Sequence, residues 1–406
     1  MDAVRRQYES YPYPERDPAE EAVRLIEGSP SHPVEIDHFL FGGRRDWSAP
    51  FRALVAGGGT GDGLIMLAQK LADIGCPAEI TYLDMSQAAR AVAEARATAR
   101  GLTSINFVTG DLLTAPDHGP FDYIDCCGVL HHLPDPDAGF AALAAALAPE
   151  GGIGLMVYAP LGRTGVYPLQ SAFGALFAGD APAEQVALAK SALAALPPTN
   201  WLNRNPFVGD HKASDAGLYD LLLHSRDRAY RADELIAALT RAGLGLVSLI
   251  EPARYEPLRY LPDTPEMRER TARLTPAQAA AVAENLAGNI KTHIAYATLA
   301  GRAGRAMATP GRAGAVPHLA RTDPRALAAH VAKAGEIRLT LDGLEHRLPI
   351  PRAAARLIAG IDGRRSLRAV AEAASLDWLA FAAAWAPVHR ALAGFNLIHY
   401  SEGAAR

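Results

Sequence analysis

The segment LVAGGGTGDG, residues 54–63, constrains this chain more than any other stretch. It overlaps the end of an apolar run, Phe51–Ala56, and Gly57, Gly59 and Gly61 alternate within it. Glycines spaced this way after a strand mark a chain that turns sharply into a helix while its bare backbone approaches a ligand. The dinucleotide fingerprint GxGxxG fails in every register, because Asp62, Leu64 or Met66 takes the sixth place. A Walker phosphate loop fails as well, since no Gly-Lys pair comes after it. Taken alone, the loop reads equally well as a tight strand-to-helix turn.

Beyond the loop, strand-like and helix-like runs alternate. Leu64, Leu67, Leu71 and Ile74 fall on one face of a helix. Residues 79–83 read as a second strand, and Ser86 as the N-cap of an alanine-rich helix. Residues 105–108 and Phe121–Cys127 read as the third and fourth strands. A helix over 138–147 is stopped by Pro149, and a Gly151–Gly152 turn leads into a fifth strand at 153–158. Such alternation is the signature of a parallel sheet flanked by helices. It fails over 160–229 and 256–288, which read as helical insertions, and returns with a helix at 232–242 and strands at 246–250 and 291–299. Residues 51–300 are therefore expected to form one α/β domain with two insertions. Residues 1–50, rich in Pro, Tyr and charge, read as a leader that packs over another part of the molecule. Residues 301–317 hold four Gly and two Pro and read as a linker. Residues 318–406 read strand, strand, three helices, strand, which resembles a small α+β winged-helix domain.

Composition narrows the function classes. At 406 residues the chain should form two or three domains. With 49% apolar and 21% charged residues it is not a mostly disordered chain. Forty basic against forty-four acidic residues give a net charge of −4, which argues against nucleic acid as a partner. Three cysteines, two of them adjacent (Cys126, Cys127), make neither a disulfide framework nor a zinc cage. No apolar run reaches membrane-spanning length and the first residues lack the apolar stretch of a signal peptide, so a cytoplasmic location without membrane insertion is expected.

Three features give the glycine loop its meaning. Asp84 ends the second strand, 23 residues after Gly61, where an acid can accept both hydroxyls of a ribose lying across the sheet edge. Asp111 comes after the third strand and can accept from the exocyclic amine of a purine. The fourth strand runs through FDYIDCCGVLHHL. Together these make residues 51–158 resemble a class I S-adenosylmethionine-dependent methyltransferase, with a Rossmann-like, seven-stranded, mostly parallel sheet. The resemblance implies S-adenosyl-L-methionine as cofactor. It implies that Gly57, Gly58, Gly59 and Gly61 wrap its methionine part, that Asp84 binds the ribose and that Asp111 meets the adenine amine. It further implies that Met85 and Leu112 flank the adenine ring and that the backbone of Cys127, Gly128 and Val129 lies near the sulfonium. One position departs from the family: Val55 stands where an acid usually helps to hold the cofactor's amino group. The leader, with Tyr8, Tyr11, Tyr13 and Arg16, is expected to fold over the site. Tyr13 and Arg16 would then touch the cofactor, Arg16 through its carboxylate.

Methyl transfer asks for alignment and, for an amine, loss of a proton. Groups for this must lie at the C-terminal edge of the sheet. His131 and His132 come just after the fourth strand, Tyr158 ends the fifth, and Tyr167 lies shortly beyond. Residues 200–230 crowd polar and aromatic side chains into an insertion placed to carry the acceptor, with Asp220 and His224 one helical turn apart. Tyr158, His131 and His224 are the candidate catalytic residues. Asp210, His211, His224 and Asp227 match no ligand spacing, so no metal is expected. Arg364, Arg365 and Arg368 read as a solvated helix start, and the tail as a partner, substrate or dimer module. The layout, with GRTGVY and DLLLHSRDRAY, is similar to bacterial protein-lysine methyltransferases with a regulatory C-terminal region. The expected function is methyl transfer to an N or O acceptor, a protein lysine leading. A small-molecule acceptor is the alternative, and a weakly active cofactor-sensing binding protein the second. Apolar helices in the insertions and tail are compatible with a homodimer.

Overall fold

The structure is a computed structural model that describes residues 3–402; residues 1 and 2 of the leader and 403–406 of the tail lie outside the described residues. Seven strands form one sheet. They are β1 (Phe51–Ala56), β2 (Ala78–Asp84), β3 (Ile105–Thr109), β4 (Phe121–Cys127), β5 (Leu147–Tyr158), β6 (Leu244–Leu249) and β7 (Thr292–Leu299). Their order is β3-β2-β1-β4-β5-β7-β6. The first five run parallel, and β7 is antiparallel to both its neighbours. The strand order reverses between β1 and β4, which opens a crevice at the C-terminal ends of the strands.

The sheet is covered on both sides because its strands are apolar in both directions. Along β1, Leu54 packs with Ile124, Leu155, Phe140 and Leu235 on one face, while Ala53 and Val55 pack with Leu64, Tyr82 and Tyr123 on the other. The period of two along a strand sends neighbours to opposite faces. Helices Asp62–Asp73, Gln87–Ala99 and Pro136–Ala145 come after their strands as expected. The fifth strand is longer than its reading at 153–158. Residues 147–152 also belong to it, and its pairing with β4 shifts register between Phe121 and Tyr123. The glycine pair therefore lies inside an irregular strand rather than in a turn.

The leader is more than a cover. Its helix Pro33–Leu40 buries Ile36, Phe39 and Leu40 in the core formed by β1, β2 and the helix after the glycine loop. The first insertion has helices Val166–Leu176 and Pro182–Ala195, two short turns and a π-helical turn Tyr219–Leu223, around an apolar cluster of its own. The second carries short helical pieces and helices Pro265–Ala272 and Pro276–Ala287.

Two readings of the C-terminal part are corrected. Residues 301–317 are not a free linker: Gly42 N–H donates to the Ala306 carbonyl at 2.6 Å and Ala308 N–H to the His38 carbonyl at 2.7 Å. The small residues there serve close packing, since Ala306, Ala308 and Ala315 are buried. The tail also begins earlier than its expected hairpin. It contains β8 (Val316–Leu319), helix Pro324–Ala334, hairpin β9 (Glu336–Leu341) and β10 (Leu344–Pro349), helices Leu367–Ala373 and Trp378–Ala393, and β11 (Ile398–Ser401). The last strand pairs with β8 rather than with the hairpin, so the tail has two separate two-stranded ladders. Among the described residues, no helix is long and apolar enough to cross a membrane.

Candidate functional site

A cavity of about 550 Å³ opens at the crevice between β1 and β4, a size typical of small-ligand sites. Its floor is the glycine loop with the ends of β2, β3 and β4: Gly57, Gly58, Gly59, Asp84, Met85, Asp111, Leu112, Cys127, Gly128 and Val129 all line it. At Gly57 (φ +70°), a Cβ would lie 2.3 Å from the Val129 side chain, so only glycine lets the β1 turn pass under the β4 end. Asp84 accepts from Gly59 N–H and from Ser86 N–H, both at 2.8 Å, which fixes its carboxylate at the rim. Burial raises its pKa, and these two N–H donors pull it back. Each oxygen keeps a lone pair free for a ligand hydroxyl. Ser86 caps the helix Gln87–Ala99, so Asp84 is not needed as a cap.

The leader forms one wall of this cavity. Thr60 Oγ1 donates to the Pro14 carbonyl at 2.6 Å, and the Glu9 carboxylate accepts from Gln87 and Ala88 N–H at the start of the next helix. An anion there completes unsatisfied amides and suits the helix dipole. Tyr8 and Tyr13 line the cavity. Arg16 does not. Its guanidinium grips Asp62 at 2.6–3.2 Å, and Asp62 also pairs with the fully buried Arg96, which pairs with Glu21. Against the pull of burial, Arg16 and Arg96 hold the Asp62 carboxyl below its usual range.

The opposite wall comes from the first insertion. Asp220, on the π-helical turn, is 3% exposed and lies between two phenols. Tyr8 Oη donates to its Oδ1 at 3.0 Å and Tyr158 Oη to its Oδ2 at 3.1 Å. No Lys or Arg of the described residues forms an ion pair with it, and burial raises its pKa. Arg163 lies 3.6 Å over the Tyr158 ring, with its charge matched by Asp227 at 3.2 Å. His132 stacks on His224 at 3.8 Å. The hydrogen bonds assign both tautomers. His132 Nδ1 faces the Arg226 carbonyl at 2.8 Å and must carry its proton, which leaves Nε2 as a free, buried lone pair. His224 Nδ1 accepts from Arg226 N–H at 3.0 Å, so its Nε2 carries the proton toward Tyr8 Oη.

The comparisons with known proteins agree with this geometry. Residues 54–153 match the family model described as "Methyltransferase domain". These residues are a class I methyltransferase domain. An uncharacterised protein of Synechococcus sp. is 32% identical over 275 residues, 66% of this chain; the chain spans 64% of that curated relative's length. Among solved structures, PKMT2 from Rickettsia typhi superposes over 92% of this chain and 76% of its own with a TM-score of 0.63 at 13% identity. Its complex with AdoHcy gives 0.61 over the same shares, also at 13% identity. At that identity the likeness is one of fold.

Four expected site residues sit elsewhere. Gly61 does not line the cavity; it starts the helix Asp62–Asp73 with φ +101°, and a Cβ there would lie 3.1 Å from Ala93, a packing role. Arg16 is consumed by Asp62, as described. His131 is fully buried behind the wall with both ring nitrogens unpartnered, and burial holds its pKa well below the usual value. His224 stands one layer back, reaching the cavity only through His132 and Tyr8; burial also keeps it neutral. Tyr158 does line the cavity and donates to Asp220; His131 packs on its ring at 4.1 Å without lining the cavity itself, and of the neighbouring histidines His132 lines the cavity with it. Asp62, Gly63 and Asp125 also line the cavity; they lie within the glycine-loop and fourth-strand segments, but none of them is among the expected site residues.

Among the described residues, two groups come within metal-binding reach: His132, Asp220 and His224, and His131, His132 and Asp227, each with ligand atoms within 4.8 Å of one another. Neither is the set Asp210, His211, His224 and Asp227 weighed from the sequence. The tautomers leave His132 Nε2 as the single free lone pair of the two rings in the first group, which suits a proton acceptor better than a cation cage. The tail also reaches the site. At the hairpin turn, Asp342 pairs with Lys291 at 3.4 Å and Gly343 abuts the Phe207 ring; Lys291 and Phe207 both line the cavity. Arg364, Arg365 and Arg368 lie away from it, the first two folded around Asp362.

Proposed function

We propose that this chain is an S-adenosylmethionine-dependent methyltransferase whose acceptor is a primary amine, a protein lysine side chain being the leading form. One observation carries the amine: Asp220 is a buried carboxylate that faces the cavity, held by two tyrosine hydroxyls, with no Lys or Arg of the described residues in an ion pair with it. A buried charge in that state favours a cationic guest. Among the described residues, seven carboxylate side chains line the cavity against three basic ones, which draws cations in.

The glycine loop, Asp84, Asp111 and the Cys127–Val129 turn are the residues that would hold the cofactor. When bound, it supplies an electrophilic methyl group, so the protein's share is alignment and proton removal. A lysine ammonium, with a pKa of about 10.4, arrives charged at neutral pH. Asp220 holds that ammonium, Tyr8 and Tyr158 fix the carboxylate, and His132 Nε2 takes one proton, leaving the nitrogen lone pair free. Tyr13, Tyr158 and Phe207 give the approach aromatic walls suited to an aliphatic chain ending in a cation. The tail hairpin beside Phe207 supports a macromolecular acceptor.

The test is incubation of the purified chain with methyl-labelled S-adenosylmethionine and a cell lysate. Protein, nucleic acid and small-molecule fractions are then counted and the protein hydrolysed. Label in methyllysine is expected. Label mainly in metabolites overturns the protein acceptor, and label in an O-methyl product overturns the amine.

A further inference from the structure

Val55 leaves the methionine end of the cavity without an acid on β1, yet the chain places one on the next strand. Asp125 lies on β4 directly across from Val55 in the parallel register. It is 4% exposed and lines the same cavity. Its neighbours are the Ser31 hydroxyl, which donates to Oδ2, the Cys127 thiol and Gly63, where a Cβ would come within 2.9 Å of Oδ2. No basic side chain of the described residues pairs with it. The other acids near this end are spoken for: Glu27 pairs with Lys70, and Asp62 with Arg16 and Arg96. Asp84 fixes a ribose position at β2. A base then lies toward β3, and the remainder of an adenosyl ligand extends back over β1 and β4, where Asp125 stands.

We infer that Asp125 binds the α-ammonium of the cofactor, supplying from β4 the carboxylate that β1 lacks; this rests on the methyltransferase reading proposed for the site. A buried carboxylate touched only by a hydroxyl and a thiol is poorly compensated, and an ammonium restores the balance. Burial pushes its pKa up to about 6 although the Ser31 hydroxyl and the Cys127 thiol pull it down, as expected for a carboxylate waiting for a cation. The first turn of the helix Asp62–Asp73 adds its positive end to the same place.

The experiment is calorimetry with S-adenosylhomocysteine and its deamino analogue, in which hydrogen replaces the amino group, on the full chain and on Asp125→Asn. The wild type should prefer the amino compound by about 10- to 100-fold. Asp125→Asn should shrink that preference to under about threefold while leaving the affinity for the deamino analogue unchanged. A variant that keeps the preference overturns the inference. The wild type offers a check that needs no variant: the Asp125 carboxyl ¹³C resonance should move with S-adenosylhomocysteine and stay put with the deamino analogue. Equal movement with both overturns the inference too. Binding of neither compound to folded wild type overturns the methyltransferase reading itself and the inference with it, a result distinct from tight binding without discrimination.

Discussion

The two ends of the cavity are built in opposite ways. The cofactor end is made by short contiguous pieces: a strand end, a glycine turn and the first residues after it, repeated at β1, β2, β3 and β4. The proposed acceptor end is assembled from parts that meet only in the folded chain. Tyr8 and Asp220, hydrogen-bonded at 3.0 Å, stand 212 residues apart. His132 and Tyr158 come from two different strand ends, and Phe207 from the insertion. The difference teaches where each kind of specificity resides. Backbone turns at strand ends hold a ligand common to many chains, whereas side chains carried by a leader and an insertion can be changed without disturbing the sheet.

The largest effect should come from breaking the acceptor end alone. Asp220→Asn keeps the size and one acceptor oxygen but removes the charge. We expect kcat/KM for the amine acceptor to fall by about 10²- to 10³-fold, since a buried charged partner is lost. Affinity for S-adenosylhomocysteine, measured by calorimetry, should change by less than about threefold. If both fall together, the two ends are not separable and the contrast between them is wrong.

The same contrast explains what could be read from the sequence. The seven strands were legible because they are short apolar runs alternating with helical patterns and punctuated by glycine or a capping residue. Asp84 and Asp111 were legible because their place after a strand fixes their place in space. Asp125 sits in plain view inside FDYID, and what hid it was the register that sets it across from Val55. No local signal could separate His132 from His131. The choice is made by the Arg226 carbonyl, 94 residues away, which orients one ring and not the other. Arg16 was misplaced for the same reason: its partner Asp62 belongs to another element. The helix Pro324–Ala334 did carry a signal, Asp323 as N-cap with Pro324 at the first position. Residues 301–317 carry no comparable signal, because small residues look alike whether they are flexible or closely packed.

A smaller effect should come from the hairpin turn that props the acceptor wall. Gly343 has φ +78°, and a Cβ there would lie 2.1 Å from the Phe207 ring. Gly343→Ala must push that ring or the turn aside. We expect the KM for a protein acceptor to rise by about three- to tenfold, with S-adenosylhomocysteine affinity and the turnover of a free small amine unchanged. Steady-state kinetics with the two acceptor classes reads this directly. Equal losses for both acceptors would assign Phe207 to general packing and leave the tail without a part in acceptor choice.

The smallest effect concerns the cofactor end, whose wall is tied to the tail through one carboxylate. Glu35 accepts from the Ser29 hydroxyl at 2.7 Å and from the Asn396 amide at 2.7 Å, and Ser29 lines the cavity. Burial pushes its pKa up to about 7, against 4.5 for a free glutamate, although both donors pull it down. Between those values the folded state holds the proton more tightly than the unfolded state does. Stability therefore falls as pH rises through that window, and the full penalty stands above about pH 7. Glu35→Gln carries no charge to bury and keeps an oxygen for Asn396. Relative to the wild type, its Tm should be nearly equal at pH 5 and higher by about 2–6 °C at pH 8. Scanning calorimetry at the two pH values measures the change. A difference that stays flat, or that grows toward low pH, would mean that the Ser29 and Asn396 donors fully compensate the charge, and that this end of the cavity is as well satisfied electrostatically as Asp220 at the other end is not.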